Sequence, residues 1–249
     1  MEINLPDEFI TQLSLSKRIV FFTGAGISAE SGIPTFRGEE GIWKKFRPEE
    51  LANFNAFMRN PTLVWEWYQY RRKIVRETTP NPGHYAIVEF ENYFDVTVVT
   101  QNVDNLHKRA GSKLVYELHG NIEKNYCIRC KKRYDFIEFP ENQGAPICEC
   151  GGNIRPDIVW FGEYLPNDQF SSSENAAEVS DIFFVVGTSS VVYPAASITN
   201  IARSAGSYVV EINITETEIS DRVNLFLKGK SGEILPKIIE LIKSEKAKT

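Results

Sequence analysis

The chain has 249 residues, 42% hydrophobic and 24% charged, enough for one large domain or one with a small insert. A net charge of −5 leaves no basic surplus for a nonspecific grip on nucleic acid or an anionic membrane. No apolar run approaches the roughly 20 residues of a membrane span, and M-E-I-N-L-P-D-E lacks the features of a secretory signal, so a cytoplasmic location is expected.

Glu8 to Leu15 predicts a short leading helix, and the β-branched and aromatic run Ile19 to Phe22 predicts a buried strand. That strand ends at Thr23-Gly24-Ala25-Gly26. Without a Cβ, Gly24 and Gly26 can take φ > 0 and are expected to leave their N–H groups open to a phosphate. Ala29 stands where the usual dinucleotide fingerprint has its third glycine, so the pattern alone fits an ordinary tight turn as well. The segment G-I-P-T-F-R-G-E-E-G-I-W has no clear period and predicts a long loop. Pro48-Glu49-Glu50 opens a helix with proline in the first turn and acids at the positive dipole end. A second helix is predicted from Pro61 to Glu77. A third starts at Asn81-Pro82, with Asn81 as cap and Tyr85, Val88 and Phe90 among its apolar positions.

Val96 to Thr100 predicts a strand that leads into Q-N-V-D-N-L-H and a short helix, and Leu114 to Leu118 another that ends at His119-Gly120. Residues 121–157 change character, with cysteines, basic residues and prolines, as an inserted module would. Ile158 to Phe161 reads as a further strand, Asn167 to Val179 as a helix, and Ile182 to Val186 as a strand ending at Gly187-Thr188-Ser189. The strand Tyr208 to Ile212 stops at Asn213. Gly229-Lys230-Ser231-Gly232 precedes a last helix with Ile234, Ile238, Leu241 and Ile242 at helical spacing. Strand, polar tip and helix recur, which predicts an α/β fold with a parallel sheet. In such sheets ligands bind at the carboxyl ends of strands, so the tips at 24–28, 101–104, 119–120, 187–189 and 213 should converge on one cleft.

All four cysteines lie between 127 and 150, as Cys127-x-x-Cys130 and Cys148-x-Cys150 with seventeen residues between the pairs. That spacing is ribbon-like and points to zinc held by four thiolates, with a disulfide or redox pair as the alternative. Four thiolates leave no open coordination position, so the metal is read as structural. The histidines are His84, His107 and His119, and only His119 falls at the carboxyl end of a predicted strand.

T-G-A-G-I-S with S-G-I-P-x-F-R, then T-Q-N-V-D-N-L-H, L-H-G, the two cysteine pairs, R-P-D-I-V-W-F-G-E and G-T-S resemble, in order, the sirtuin family of NAD-dependent protein lysine deacylases. The resemblance covers nearly the whole chain. It implies a Rossmann-like NAD-binding domain over 1–36, 79–121 and 158–249. A smaller domain would be made of a helical insert, 37–78, and a zinc-ribbon module, 122–157. It implies transfer of an acyl group from lysine to ADP-ribose with release of nicotinamide, His119 being the base that deprotonates a ribose hydroxyl. Asn102 and Asp104 match the nicotinamide and ribose contacts, with Gln101 beside them. Gly24, Ala25, Gly26 and Ser28 match the glycine turn at the cofactor, and Phe36 and Arg37 a loop over the reactive ribose. Gly187, Thr188, Ser189, Asn213 and Ser231 match contacts at the adenosine end. Val159 to Glu163, with Val159 and Phe161 as substrate contacts, would receive an acyl-lysine peptide as an added strand. A monomer is expected, with no membrane and no nucleic-acid partner.

Trp65-Glu66-Trp67-Tyr68-Gln69-Tyr70-Arg71-Arg72 resembles the helix of the desuccinylase branch, with Tyr68 and Arg71 as its tyrosine–arginine pair. Thr35 agrees, standing where many deacetylases carry aspartate. Residues three apart share a helix face, and a guanidinium beside a phenol suits the terminal carboxylate of succinyl- or malonyl-lysine. As a bare pattern the same residues also fit an aromatic packing stripe with solvated arginines. Two other functions remain open: protein ADP-ribosyl transfer through the same sugar, and a noncatalytic zinc-ribbon binding module.

Overall fold

The computed structural model describes residues 5–35, 51–135 and 144–246. Phe36, Arg37 and the helix start expected at Pro48 lie outside the described residues. No described helix is long and apolar enough to cross a membrane.

After helix α1 (Asp7–Leu15), β1 (Arg18–Thr23) runs into the short α2 (Ala25–Ala29). Helices α3 (Phe54–Arg59), α4 (Pro61–Glu77) and α5 (Pro82–Phe90) lead to β2 (Asp95–Thr100), α6 (Leu106–Ala110) and β3 (Val115–Glu117). Strands β4 (Gly120–Cys127), β5 (Arg133–Tyr134) and β6 (Ile154–Ile158) follow. The chain closes with α7 (Asn167–Glu178), β7 (Ile182–Val186), α8 (Ser197–Ala205), β8 (Tyr208–Asn213), β9 (Leu225–Lys228) and α9 (Ser231–Lys246).

Six strands form a parallel sheet in the order β3-β2-β1-β7-β8-β9. The order runs outward in both directions from the β1/β7 boundary, the switch point at which α/β sheets open a crevice. Alternation along β1 explains why the sheet is covered on both faces. Ile19 and Phe21 pack with α1, α5 and α9, whereas Val20 and Phe22 pack with α7 and α8. Each such buried side chain contributes about 1.5–3 kcal/mol. A second, antiparallel sheet, β5-β4-β6, shares a separate core with α4 built on Trp65, Tyr68, Trp160, Cys127 and Cys148.

The glycines after β1 serve a close approach rather than the expected open amides. Gly24 is extended at φ −124° and donates to Val186 O at 3.0 Å; Gly26 donates to Gly187 O at 2.7 Å. A Cβ on Gly26 would lie 2.6 Å from Gly187 Cα, so both strand ends must be bare to meet. At the start of β4 Gly120, at φ +80°, passes so close to Asp157 O that any Cβ would clash with it.

Asn60 and Asn81 cap α4 and α5, each accepting backbone N–H bonds, and Asn81 N–H also donates to His84 Nδ1. Tyr85, expected on the apolar face of α5, is exposed; Gly83, His84, Ala86, Ile87 and Phe90 are the buried positions. The strand expected over Ile158 to Phe161 instead ends at Ile158. Beyond it, a turn closes from Trp160 to Glu163 with Gly162 at φ +85°.

The buried histidines carry a pH prediction. Burial lowers His84 to about 4 from the usual 6.5 and holds His107 well below 6.5. The unfolded chain therefore binds more protons between those values, and stability is full above pH 6.5 and lost as pH falls toward 4. His84 alone should remove about 3 kcal/mol over that range. Urea midpoints measured from pH 7 to pH 4 should fall accordingly, and His84→Gln should flatten the slope. An unchanged slope in that variant would rule out this origin.

Candidate active site

The carboxyl ends of β1, β2, β7 and β8, together with His119, open onto one cleft of about 1390 Å³. Gly24, Ala25, Gly26, Thr35, Gln101, Asn102, His119, Gly187, Thr188, Ser189, Asn213 and Ser231 all border it. So do Tyr68 and Arg71 from α4 and Val159 and Phe161 from the segment after β6. Ser28 and Asp104 are buried and are not part of this lining. Ser28 Oγ donates to Asp104 Oδ2 at 2.7 Å, and Leu106 N–H donates to Asp104 Oδ1 at 3.0 Å. Desolvation raises the Asp104 carboxyl above its ordinary range.

Asn102 links that buried pair to the cleft. Its Nδ2 donates to Gly24 O at 2.9 Å and Ser28 Oγ at 3.1 Å, which fixes the amide plane and commits Oδ1 to the acceptor role. Gln101 Nε2 donates to Thr188 Oγ1, and Asn213 Nδ2 to Thr188 O, each at 2.9 Å, so the β2, β7 and β8 tips are tied together.

His119 joins the two sheets, between β3 and β4. Its Nδ1 lies 2.9 Å from Gln101 O. A carbonyl only accepts, so Nδ1 carries the proton and the neutral ring keeps a lone pair on Nε2. Burial lowers the imidazole below its usual value, partly offset by that bond, which favours the neutral base at pH 7.

Helical phase separates two adjacent arginines. Arg72 is buried and donates to Ile122 O at 2.6 Å and to Asn125 Oδ1, so it fastens α4 to β4. Arg71 faces the cleft, its guanidinium 4.9 Å from the Trp67 ring centroid and 5.6 Å from that of Tyr68. Tyr68 is buried and accepts from Trp160 Nε1 at 2.8 Å.

Two further contacts have little or no signal in the sequence. Arg155, 1% exposed, pairs through both terminal nitrogens with Glu163, and Glu163 Oε2 also accepts from Trp160 N–H at 2.8 Å. Glu30 accepts from Ser231 Oγ at 2.6 Å and Gly232 N–H at 3.0 Å at the start of α9. A charged strand residue followed by an acid eight positions on was the only clue to the first pair. The second spans 201 residues and had no local signal.

Among the described residues, the Sγ atoms of Cys127, Cys130, Cys148 and Cys150 all lie within 4.8 Å of one another. Two of the spacings are 3.5 Å and 3.6 Å, near the edge of about 3.8 Å that a tetrahedral Zn–S₄ site requires and far from a disulfide bond. Arg129 N–H and the Tyr134 hydroxyl donate to Cys127 and Cys148 sulfurs, as suits anionic ligands. The tyrosine bond, with a backbone bond from Cys150, lowers Cys148 to about 6. The four cysteines are positioned to bind a metal ion and fit zinc.

The fold and cleft define a Rossmann-like α/β protein with a cysteine-bound small sheet beside the switch point. The Sir2 family model matches residues 24–194, and the chain belongs to that family. It is 51% identical over 233 residues to NAD-dependent protein deacylase 2 of Pyrobaculum aerophilum, covering 93% of both chains. The NAD-dependent protein deacylase of Pyrococcus furiosus is 50% identical over 238 residues, covering 93% of this chain and 95% of that one. A Sir2 homologue solved with NAD superposes with a TM-score of 0.91 at 40% identity, covering 97% of this chain and 95% of that one. A Sir2 protein solved with a p53 peptide and NAD+ gives 0.84 at 35%, covering 94% and 97%.

Proposed function

We propose that this protein is an NAD-dependent protein lysine deacylase that moves the acyl group of acyl-lysine to ADP-ribose and releases nicotinamide. The observation that carries the reading is the half-buried His119, held by Gln101 O on the border of the cleft that also contains Gly24 and Asn102. NAD, held by these residues, would supply the electrophilic ribose carbon, with nicotinamide as its leaving group. Asn102, with Nδ2 committed to Gly24 and Ser28, offers Oδ1 to the nicotinamide carboxamide; Asp104 supports it through Ser28 rather than from the cleft surface. Phe36 and Arg37 are assigned the cover over that ribose. Gly187, Thr188, Ser189, Asn213 and Ser231 are assigned the adenosine end. His119 takes a ribose hydroxyl proton onto Nε2 while Nδ1–H stays on Gln101 O.

The small domain, 37–78 and 122–157, is proposed to close the cleft against the Rossmann-like domain, with structural zinc at its four cysteines. A cytoplasmic monomer that binds acyl-lysine segments as an added strand beside Val159 and Phe161 completes the assignment. Mass spectrometry of reactions with NAD and matched acetyl-, succinyl- and malonyl-lysine peptides tests it. Acylated ADP-ribose with free lysine peptide is the expected pair of products, and ADP-ribosylated protein in their place would identify a transferase.

The acyl preference is assigned to succinyl and malonyl groups, the desuccinylase type, because Arg71 brings a guanidinium into the cleft beside the Tyr68 phenol. Arg71→Met should cost the charged acyl peptides about 2–4 kcal/mol, roughly thirty- to a thousand-fold in kcat/KM, and spare acetyl-lysine. Equal losses for both peptides would make Arg71 structural.

A further inference from the structure

The Tyr68 hydroxyl is buried, and a buried phenol is useful to a ligand only if its proton points the right way. Tyr68 oxygen receives the Trp160 indole N–H at 2.8 Å, and an indole N–H can only donate. The oxygen therefore accepts on that side, and its own proton remains for a different acceptor. Burial raises the Tyr68 pKa, so the group keeps that proton at neutral pH.

Trp160 is itself held on three sides. Its backbone N–H donates to Glu163, the Arg155 guanidinium lies 3.4 Å from the centroid of its ring, and Phe57 packs against it at 5.3 Å. Arg155 is fixed in turn by the paired bonds to Glu163 and by NH2 donating to Ile158 O at 2.7 Å. The segment that presents Val159 and Phe161 to the cleft is thus the segment that aims the indole at Tyr68. This chain of contacts reaches Tyr68 at its hydroxyl, whereas the Arg71 guanidinium lies 5.6 Å from its ring centroid.

We infer that Trp160 is a specificity-positioning residue: its indole N–H, locked by the Arg155–Glu163 pair, turns the Tyr68 proton toward the carboxylate of a bound acyl group. The inference rests on the proposed preference for a charged acyl group. Without the N–H, the hydroxyl is no longer held on the Trp160 side and can give its proton elsewhere, and substrates with an acyl carboxylate lose most by it. The effect should fall on KM, because the carboxylate is bound equally before and during reaction.

Trp160→Phe keeps an aromatic ring and removes the donor. It should raise KM for succinyl-lysine peptide about tenfold more than KM for acetyl-lysine peptide, with kcat changed equally for the two. The double variant Trp160→Phe/Tyr68→Phe should be no worse than Tyr68→Phe alone, since one residue acts through the other. Should the phenylalanine variant melt early, benzothienylalanine placed at 160 by codon suppression removes only the N–H and gives the same readout. If Arg71→Met and Tyr68→Phe change acyl preference while Trp160→Phe does not, or the double variant is additive, the inference fails and the acyl assignment stands. A parent enzyme with no preference for the charged acyl group overturns both.

Discussion

Chelating zinc from the four cysteines should abolish deacylation, by at least a hundredfold, and unfold the three-stranded sheet while the six-stranded sheet persists. Structural zinc contributes about 10–16 kcal/mol to the folding of small zinc-binding peptides, as much as the 5–15 kcal/mol by which whole domains are stable. Two ligands, Cys127 and Cys148, belong to the same core as Trp65, Tyr68 and Trp160. Trp65 Nε1 donates to Ile154 O at 2.6 Å, and Arg72 ties α4 to β4, so the helix with Tyr68 and Arg71 is fastened to the strands beside the metal. The cores on the two faces of the large sheet contain no cysteine and should stay folded. Three of the four tryptophans, Trp65, Trp67 and Trp160, lie in the zinc-side core. Chelation should therefore red-shift tryptophan emission while leaving most of the far-ultraviolet circular dichroism. Cys148→Ser should reproduce both changes without chelator. Full activity and unchanged emission after measured loss of stoichiometric zinc would refute the coupling.

What the sequence shows and what it hides divides along physical lines. Ile19 to Phe22 was readable because a strand buried on both faces must be apolar throughout. Ile154–Ile158 was not, since I-R-P-D-I carries a proline and two charges. The edge position of β6 tolerates Pro156, and Glu163 neutralises Arg155 from outside the strand. The apolar run that follows, Val159 to Phe161, has strand character but lies beyond the end of β6. Leu225–Lys228, the short edge strand β9, and α8 went unpredicted. At the cleft, residue types were legible where a strand ends in Asn, Gln or His, because those tips must converge in any parallel sheet. Gly24 and Gly26 were found for a different reason than the one they serve: their amides bond to the end of β7, and their missing side chains let two strands touch. Arg71 and Arg72 are identical in type and differ only in helical phase, which one sequence cannot fix until it is known what each side of α4 faces. Glu30 meeting Ser231 is a tertiary fact with no local trace.

His119→Ala should lower kcat by about 10²- to 10⁴-fold, or about 3–5 kcal/mol, which is the range for loss of a positioned general base. NAD affinity should change only a few-fold, because most of the cofactor's proposed contacts lie on the other strand tips. The pH profile gives the sharper test. Only the neutral ring accepts a proton, so kcat/KM should rise with pH through the imidazole's own value and then level off. Burial places that value below 6.5, so the acid limb should lie on the acid side of an ordinary histidine. The bond from Nδ1 to Gln101 O is made by backbone and survives side-chain changes at 101. Gln101→Ala should thus shift the limb little, whereas His119→Ala should erase it from the residual rate. His84 and His107 cannot stand in for it, since neither borders the cleft and both are held neutral by burial. Residual activity within fivefold of the parent, with the same acid limb, would remove His119 from the chemistry and leave it as a joint between the two sheets.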